Sequence, residues 1–281
     1  MSALPAAMRE PARTSLLRTN PRVIAATARV YTLRFASNPI QLIRIPLAPV
    51  LSLGGFVLAY NISGQTSVPD SQVIGFLIIG IFMTEAWSST VWGSGNALQA
   101  ERNLGTISAI ISAPASTAAV VIGYTLGSLL IGLPSIVSCT VVGLLAGGRF
   151  TIDDPLAALV ALLTVYVSTV CIGMAFGGLF ILSRNSNSLS NVLQLPIYLL
   201  AGFYVPRSVL PGWLRRVGDV IPLSHAVDAL RGAMLSGESL GDLRNPLLAA
   251  LGTSAIFLVI GIWALGKADR AIRRSGTLDI L

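Results

Sequence analysis

The sequence predicts an all-α membrane protein with six transmembrane helices and both termini in the cytoplasm. Of its 281 residues, 53% are hydrophobic and 11% are charged, and the mean hydropathy is +0.76. A soluble domain is about a quarter charged, and a bilayer crossing needs about 20 mostly apolar residues. Six apolar stretches are present, at residues 42–60, 73–92, 118–146, 155–182, 189–204 and 246–265.

The distribution of basic residues predicts the orientation. Most of the 19 Lys and Arg residues precede the first span, follow the second or fourth span, or lie in the C-terminal tail. Cytoplasmic loops usually carry this excess of positive charge. The isoelectric point near 10.1 then reflects flanks that contact anionic lipid headgroups. No basic patch interleaved with aromatic residues is present, so nucleic acid is not a predicted partner.

Four segments make up the predicted domain organisation. Residues 1–20 lack the apolar core of a signal peptide and are predicted to form a cytoplasmic tail. Residues 21–36 form an amphipathic interfacial helix, residues 37–270 the transmembrane domain, and residues 271–281 a second cytoplasmic tail.

The amphipathic helix is predicted from its start signal and its spacing. Asn20-Pro21 combines a helix-capping residue with proline at the first helical position. Arg22 and Arg29 project from the face opposite an apolar stripe, which suits a helix lying in the membrane interface. The alternative is a helix packed on the bundle, and the two are compatible. The stripe is Ile24, Ala28, Tyr31 and Phe35.

The spans differ in their regularity. Pro46 and Pro49 predict a bend near the start of the first span. Residues 183–245 are the least regular part, with a short fifth span followed by two apolar pieces that are too short to cross. We expect residues 205–245 to form re-entrant helices in the outer leaflet, where surrounding protein tolerates irregular backbone.

The second span turns polar in its later half. Glu85 is the only acid inside a predicted span, and an ionisable residue at that depth is costly and marks a functional hypothesis. We therefore predict a substrate pathway that includes Glu85, with Glu85 contacting a cationic or polar part of the cargo. The alternative is an internal partner or a position at headgroup level. The pathway candidates are Thr84, Glu85, Trp87, Ser88 and Trp92.

A charged connection follows the second span and reads Glu101-Arg102-Asn103-Leu104-Gly105-Thr106-Ile107, with Pro114 further on. It resembles the E-R-E-x-G-T-x-E-x-L-x-x-[ST]-P element of ABC-2 type exporter permeases. Asn103 and Ser108 replace acids of that pattern. The resemblance implies a coupling segment that docks on a separate ATPase. The coupling candidates are Glu101, Arg102, Asn103, Gly105 and Thr106.

A second motif precedes the last span, in which residues 221–232 read IPLSHAVDALRG. It resembles the N-P-[LF]-[TS]-[YH]-x-[VIL]-[DE]-x-[LMF]-R signature of the same family, in its drug-resistance branch. Residues 201–214 resemble the run that precedes this signature. On a helix, Asp228 and Arg231 lie three residues apart and are predicted to pair. We expect an outer-gate element built on Pro222, Ser224, Asp228, Arg231 and Gly232.

The resemblance implies the permease subunit of an ATP-driven exporter in a bacterial plasma membrane. It further implies a second permease subunit, identical or homologous, and two copies of a cytoplasmic ABC ATPase. The implied cargo is a hydrophobic drug, antibiotic or lipid moving outward from the cytoplasm or inner leaflet.

No G-x-x-x-x-G-K-[ST] motif is present. The chain itself is therefore expected to hold no cofactor, and ATP and Mg are expected to be bound by the partner ATPase. No metal-ligand spacing or nucleophile–base set indicates an enzyme.

Three alternatives stay open. A polysaccharide-type ABC-2 exporter subunit would share the fold, although short external regions count mildly against it. An ATP-independent secondary transporter could be driven through Glu85, but no inverted repeat supports it. A non-transporting scaffold or sensor would tolerate changes at residues 101–106 that abolish transport in an exporter.

Overall fold

The computed structural model describes residues 21–62, 71–88, 93, 117–182 and 186–275. Within these residues the secondary structure is helical. A 3-10 turn at Arg207–Val209 lies between the sixth and seventh helices. The helices are α1 (Pro21–Ala36), α2 (Pro39–Ile62), α3 (Ser71–Ser88), α4 (Thr117–Leu145), α5 (Pro155–Leu182), α6 (Ser186–Leu200), α7 (Gly212–Gly218), α8 (Pro222–Leu235) and α9 (Arg244–Ser275).

Five of the described helices are long and apolar enough to cross a membrane, namely α2, α3, α4, α5 and α9. The predicted fifth span corresponds to α6, which has 15 residues and therefore a length of about 22 Å. A bilayer core is about 30 Å thick, so α6 by itself does not reach across. The all-helical membrane fold is confirmed, while the sixth crossing stays a prediction.

The chain returns after α6 to the end of the bundle where α5 begins. The backbone N–H of Thr151 donates to the carbonyl of Met234 over 2.8 Å. The carboxylate of Asp154 receives N–H groups from Leu156 and Ala157 at the start of α5 and from Leu240 beyond α8. These bonds attach the connection between α4 and α5 to the end of α8 and to the segment that follows it.

The core lies where α8 meets α3, α5 and α9. One apolar face of α8 is buried there, with Leu223, Val227 and Leu230 at 1% exposure or less. Small side chains between them, such as Ala226 and Ala229, allow the helices to approach closely. Consequently α8 is a core element of the bundle.

The first helix forms over the predicted residues and packs along α4. Ala28 is its buried residue, and its backbone approaches Gly127 so closely that a Cβ there would lie 2.9 Å from the Ala28 carbonyl oxygen. Tyr31 stacks edge-on with Tyr124 of α4, with ring centroids 5.6 Å apart. The alternative, in which this helix packs on the bundle, is therefore observed, and its place in the membrane interface stays a prediction.

Two prolines lie inside the continuous helix α2, and a neighbouring helix compensates for the N–H group that one of them lacks. The predicted bend stays a prediction. Pro49 has no N–H to offer to the carbonyl of Ile45, four residues earlier. The hydroxyl of Ser135 on α4 donates to that carbonyl over 2.6 Å, and Ser138 donates to the carbonyl of Pro46 over 2.8 Å. Two interhelical hydrogen bonds therefore attach the first half of α2 to α4.

Candidate functional site

A cavity of about 450 Å³ lies between α1, α2, α3 and α4, near the end where α2 begins and α3 ends. It mixes charged, hydroxyl, aromatic and apolar groups, and its size falls within the range of small-molecule sites. The side chains and glycines that line it are Tyr31, Phe35, Arg44, Ile45, Ala48, Glu85, Ser88, Gly93, Ser128, Ile131, Gly132 and Ser135.

Glu85 is half-buried on the wall of this cavity, three residues from the end of α3. Among the residues that the structure describes, none donates a hydrogen bond to its carboxylate or forms an ion pair with it. A partly desolvated carboxylate without a partner is unfavourable. The cavity therefore has an acceptor group that its own described residues leave unsatisfied.

Arg44 lines the same cavity from α2, but its guanidinium is engaged elsewhere. Its Nε donates to the Oε1 of Gln41 over 2.9 Å, on an exposed part of the helix surface. The sequence analysis did not anticipate the place of Arg44 on the cavity. The cavity thus has a cation from α2 at its exposed edge and an acid, Glu85, contributed by α3.

The aromatic part of the wall comes from α1. Tyr31 and Phe35 have ring centroids 5.2 Å apart. Burial raises the pKa of Tyr31 to about 12, against a smaller opposing effect of the Arg34 charge. Its hydroxyl is therefore neutral at physiological pH and offers a hydrogen bond without a charge.

Of the five predicted pathway residues, two line the cavity, two contact other groups and one lies outside the described part of the chain. Glu85 and Ser88 line the cavity. Trp87 is buried in the core, where it packs edge-on against Phe176 with centroids 5.4 Å apart. The hydroxyl of Thr84 lies 2.6 Å from that of Tyr204. Trp92 lies outside the described residues.

The predicted coupling residues also lie outside the described part of the chain. This applies to all five of them, Glu101, Arg102, Asn103, Gly105 and Thr106.

A charged cluster occupies the opposite end of the bundle and is centred on Arg207. Its two terminal nitrogens donate to the carboxylates of Asp219 and Asp228, the latter over 2.5 Å. The Arg207 side chain is 9% exposed, whereas the two carboxylates are 48% and 42% exposed. Arg207 thereby joins the 3-10 turn, the end of α7 and the outer face of α8.

Arg231, on the same helix as Asp228, has a different role. Its two terminal nitrogens donate to the carbonyls of Gly202 and Phe203 over 2.6 and 2.7 Å, and its guanidinium lies 3.6 Å from the ring centroid of Phe76. Burial lowers the pKa of Arg231 to about 10, against the opposing charge of Asp228, so it is charged at neutral pH. The spacing-based prediction of an Asp228–Arg231 pair is wrong, because Asp228 pairs with Arg207.

The carbonyls that Arg231 binds belong to the turn that ends α6. Gly202 has φ +77°, and the N–H of Phe203 donates to the carbonyl of Tyr198. This is a helix stop with a left-handed residue, a conformation that favours glycine. Backbone geometry therefore explains why glycine stands at position 202, in the run at residues 201–214 that precedes the signature.

The remaining signature residues are also brought together at this end. Pro222 occupies the first turn of α8, and the hydroxyl of Ser224 donates to the carbonyl of Gly218 over 2.8 Å. Gly232 faces the side-chain ends of Glu238 and Leu243, which would have to shift to admit a Cβ.

Sequence reasoning missed Arg207 because its partners lie 12 and 21 residues away. The one feature of the sequence that singled out Arg207 was its position beside Pro206, in the run at residues 201–214.

The fold and these two sites define a multi-pass helical membrane protein with a polar cavity at one end and a charged cluster closing the other. The family model described as ABC-2 type transporter matches residues 23–235. The chain belongs to the ABC-2 type transporter family and is a permease subunit of an ABC transporter, as the two motifs predicted.

Three relatives share this region. The daunorubicin resistance ABC transporter permease protein DrrB1 of Streptomyces coeruleorubidus is 24% identical over 227 residues, covering 79% of this chain and 78% of the relative. ABC transporter G family member 20 of Dictyostelium discoideum is 26% identical, covering 74% of this chain and 29% of the relative. The linearmycin resistance permease protein LnrN of Bacillus subtilis (strain 168) is 22% identical, covering 72% and 50%.

Proposed function

We propose that this chain is the membrane subunit of an ATP-driven exporter that moves a hydrophobic drug, antibiotic or lipid outward across a bacterial plasma membrane. The family match over residues 23–235 carries the proposal. Two of the relatives are named as daunorubicin and linearmycin resistance permeases, which supports a drug-like cargo and the outward direction.

The proposed route begins at the cavity that contains Glu85 and Ser88. With the predicted orientation, this cavity lies in the cytoplasmic half of the membrane, because α2 would begin and α3 would end there. Its mixed lining suits an amphiphilic cargo taken from the cytoplasm or the inner leaflet. The opposite end of the bundle, with the Arg207 cluster and α8, would then be the outer gate.

The ATPase is proposed to be a separate subunit that binds ATP and Mg. Its dock on this chain is proposed to be the coupling segment, residues 101–106, on the strength of the resemblance described above. In the proposed assembly, two ATPase copies serve two permease subunits, identical or homologous. Closure of the ATPases would move the coupling segments and shift the bundles between inward and outward access.

Transport in inside-out membrane vesicles tests the proposal. Vesicles containing this chain and its partner ATPase are expected to accumulate daunorubicin, followed by its fluorescence, only when ATP is added. Arg102→Glu is expected to reduce this uptake by at least tenfold while the ATPase continues to hydrolyse ATP, since it reverses a charge in the proposed dock. Arg216→Glu, an exposed residue of α7, is the matched charge-reversal control and is expected to retain uptake.

Two results would contradict the proposal. Uptake driven by an imposed proton gradient without any ATPase would assign the chain to secondary transport instead. An ATPase that neither co-purifies with this chain nor changes its hydrolysis rate in its presence would remove the assembly on which the function depends.

A further inference from the structure

The Glu85 cavity has a chemical asymmetry that indicates what it binds. It lies beside membrane-spanning helices and contains one carboxylate that receives no hydrogen bond and no ion pair from the described residues. A carboxylate in such a position is stabilised when a positive charge approaches it. A cationic ligand would supply this charge, whereas a neutral or anionic ligand would leave the acid unsatisfied or repel it.

The cation in the cavity wall fills this role only at a distance, through an electrostatic attraction without an ion pair. Arg44 donates through its Nε to Gln41 and lies on the exposed edge, and it forms no ion pair with Glu85 at 4 Å or less in the described structure. The space beside Glu85 is therefore open to a ligand.

The remaining walls suit an apolar body with aromatic surface. Tyr31 and Phe35 place two adjacent rings on the α1 side, and aromatic faces attract organic cations as well as other rings. On the α4 side, Gly132 leaves open space, with no atom within 4 Å of a Cβ added there. A lipophilic cation can thus place its charge toward Glu85 and its apolar surface against α1 and α4.

We infer that this cavity is a binding site for lipophilic organic cations, with Glu85 as the residue that selects for positive charge. The inference rests on the proposed transport function for its biological meaning, and it names the class of cargo. Binding itself requires neither ATP nor the partner subunit, so it can be measured on the purified permease.

Tetraphenylphosphonium and tetraphenylborate are suitable probes, because they share one shape and carry opposite permanent charges. Equilibrium binding to the permease in nanodiscs of uncharged lipid is expected to favour the phosphonium cation by at least tenfold. Glu85→Gln is expected to weaken phosphonium binding by at least tenfold. Glu85→Asp, which keeps the charge, is expected to retain binding within about threefold, as is Asp242→Asn, which removes an exposed acid far from the cavity.

A second variant locates the site independently of charge. Gly132→Leu places a side chain in the open space and is expected to abolish phosphonium binding without changing Glu85. Equal affinity of the native protein for the two probes, or native-like phosphonium binding by folded Glu85→Gln or Gly132→Leu, would overturn the inference. Cation binding that depends on Glu85 in a chain that shows no ATP-dependent export would preserve this site and reject only the proposed function.

Discussion

At the scale of single residues, Ser135 compensates for a proline on a neighbouring span. The Ser135 hydroxyl donates to the Ile45 carbonyl, which Pro49 cannot serve because it lacks an N–H. Interhelical hydrogen bonds in membranes contribute about 0.6 kcal/mol on average and up to about 1.7 kcal/mol.

Replacing Ser135 by Ala is therefore expected to destabilise the protein by about 1 kcal/mol, measured by SDS titration in dodecyl maltoside micelles. The same substitution in a Pro49→Ala background is expected to cost less, because the new N–H at residue 49 can bind the Ile45 carbonyl. A double-mutant cycle with zero coupling would contradict this explanation. Ser52→Ala, which removes a bond within α2 on an exposed face, is the control and should change stability little.

Arg231 is the second residue whose contacts predict a measurable effect. Arg231→Ala leaves the carbonyls of Gly202 and Phe203 without their donor and removes the contact with the Phe76 ring. Two lost charge-assisted bonds are expected to cost roughly 3 kcal/mol of unfolding free energy.

Arg231→Lys should recover only part of the stability, because an ammonium cannot serve both carbonyls with the planar geometry of a guanidinium. Arg216→Ala, an exposed arginine at the same end, is expected to stay within about 0.5 kcal/mol of the native protein. Native-like stability of Arg231→Ala would show that the turn after α6 is held by other contacts.

At the scale of helices, the pairing of α5 with α9 depends on glycines at their contact. A Cβ on Gly261 of α9 would lie 2.8 Å from backbone atoms of Met174 and Ala175, and a Cβ on Gly178 of α5 would lie 2.6 Å from the Cβ of Ala264. Backbone atoms cannot move aside as a flexible side chain can, so a methyl group at Gly261 must push the helices apart.

Gly261→Ala is therefore expected to destabilise the protein by about 1–3 kcal/mol. Gly252→Ala on the same helix has open space around the new methyl group and is expected to be neutral or stabilising by up to about 1 kcal/mol, from helix propensity. The same detergent titration compares the two variants. Equal stability of both would mean that α5 and α9 are less tightly packed than the structure indicates.

At the scale of the whole molecule, the path of the chain around α6 bears on the number of membrane crossings. The α6 helix is short, yet Thr151 bonds to Met234 near the end of α8 and Asp154 bonds to Leu240 beyond it. This places the segment after α6 at the same end as the connection between α4 and α5. Since α5 begins at this end and is long enough to span the membrane, it ends on the opposite side. The chain would then have to cross the membrane again between the end of α5 and residue 205.

Cysteine labelling of whole cells tests this crossing. Cys139 and Cys171 are buried and can first be replaced by Ala. Single cysteines at Ile152 and Val209, both exposed in the structure, are expected to react with a membrane-impermeant maleimide from outside. A cysteine at Arg29 on α1 is expected to react only after permeabilisation. Labelling of Ile152 and Val209 from opposite sides would show that no crossing occurs between them.

The sequence by itself determined the helices, the family and the two motifs. Lipid leaves a spanning segment few alternatives to an α-helix, because every backbone polar group must be satisfied. Apolar length therefore predicted α2, α3, α4, α5 and α9, and a 3.6-residue stripe predicted α1. These signals are local in the chain, so the amino-acid sequence alone is sufficient to recognise them.

Only the tertiary structure decided which polar groups meet. On α3 nearly every face is apolar, so periodicity could not place Trp87 in the core and Glu85 on the cavity. The pairing of Arg207 with Asp219 and Asp228 depends on how the chain turns after Gly202. The cavity also needs walls from α1 and α4, which are far apart in sequence from Glu85. Contacts of this kind are set by helix packing and turn geometry, and local sequence pattern does not encode them.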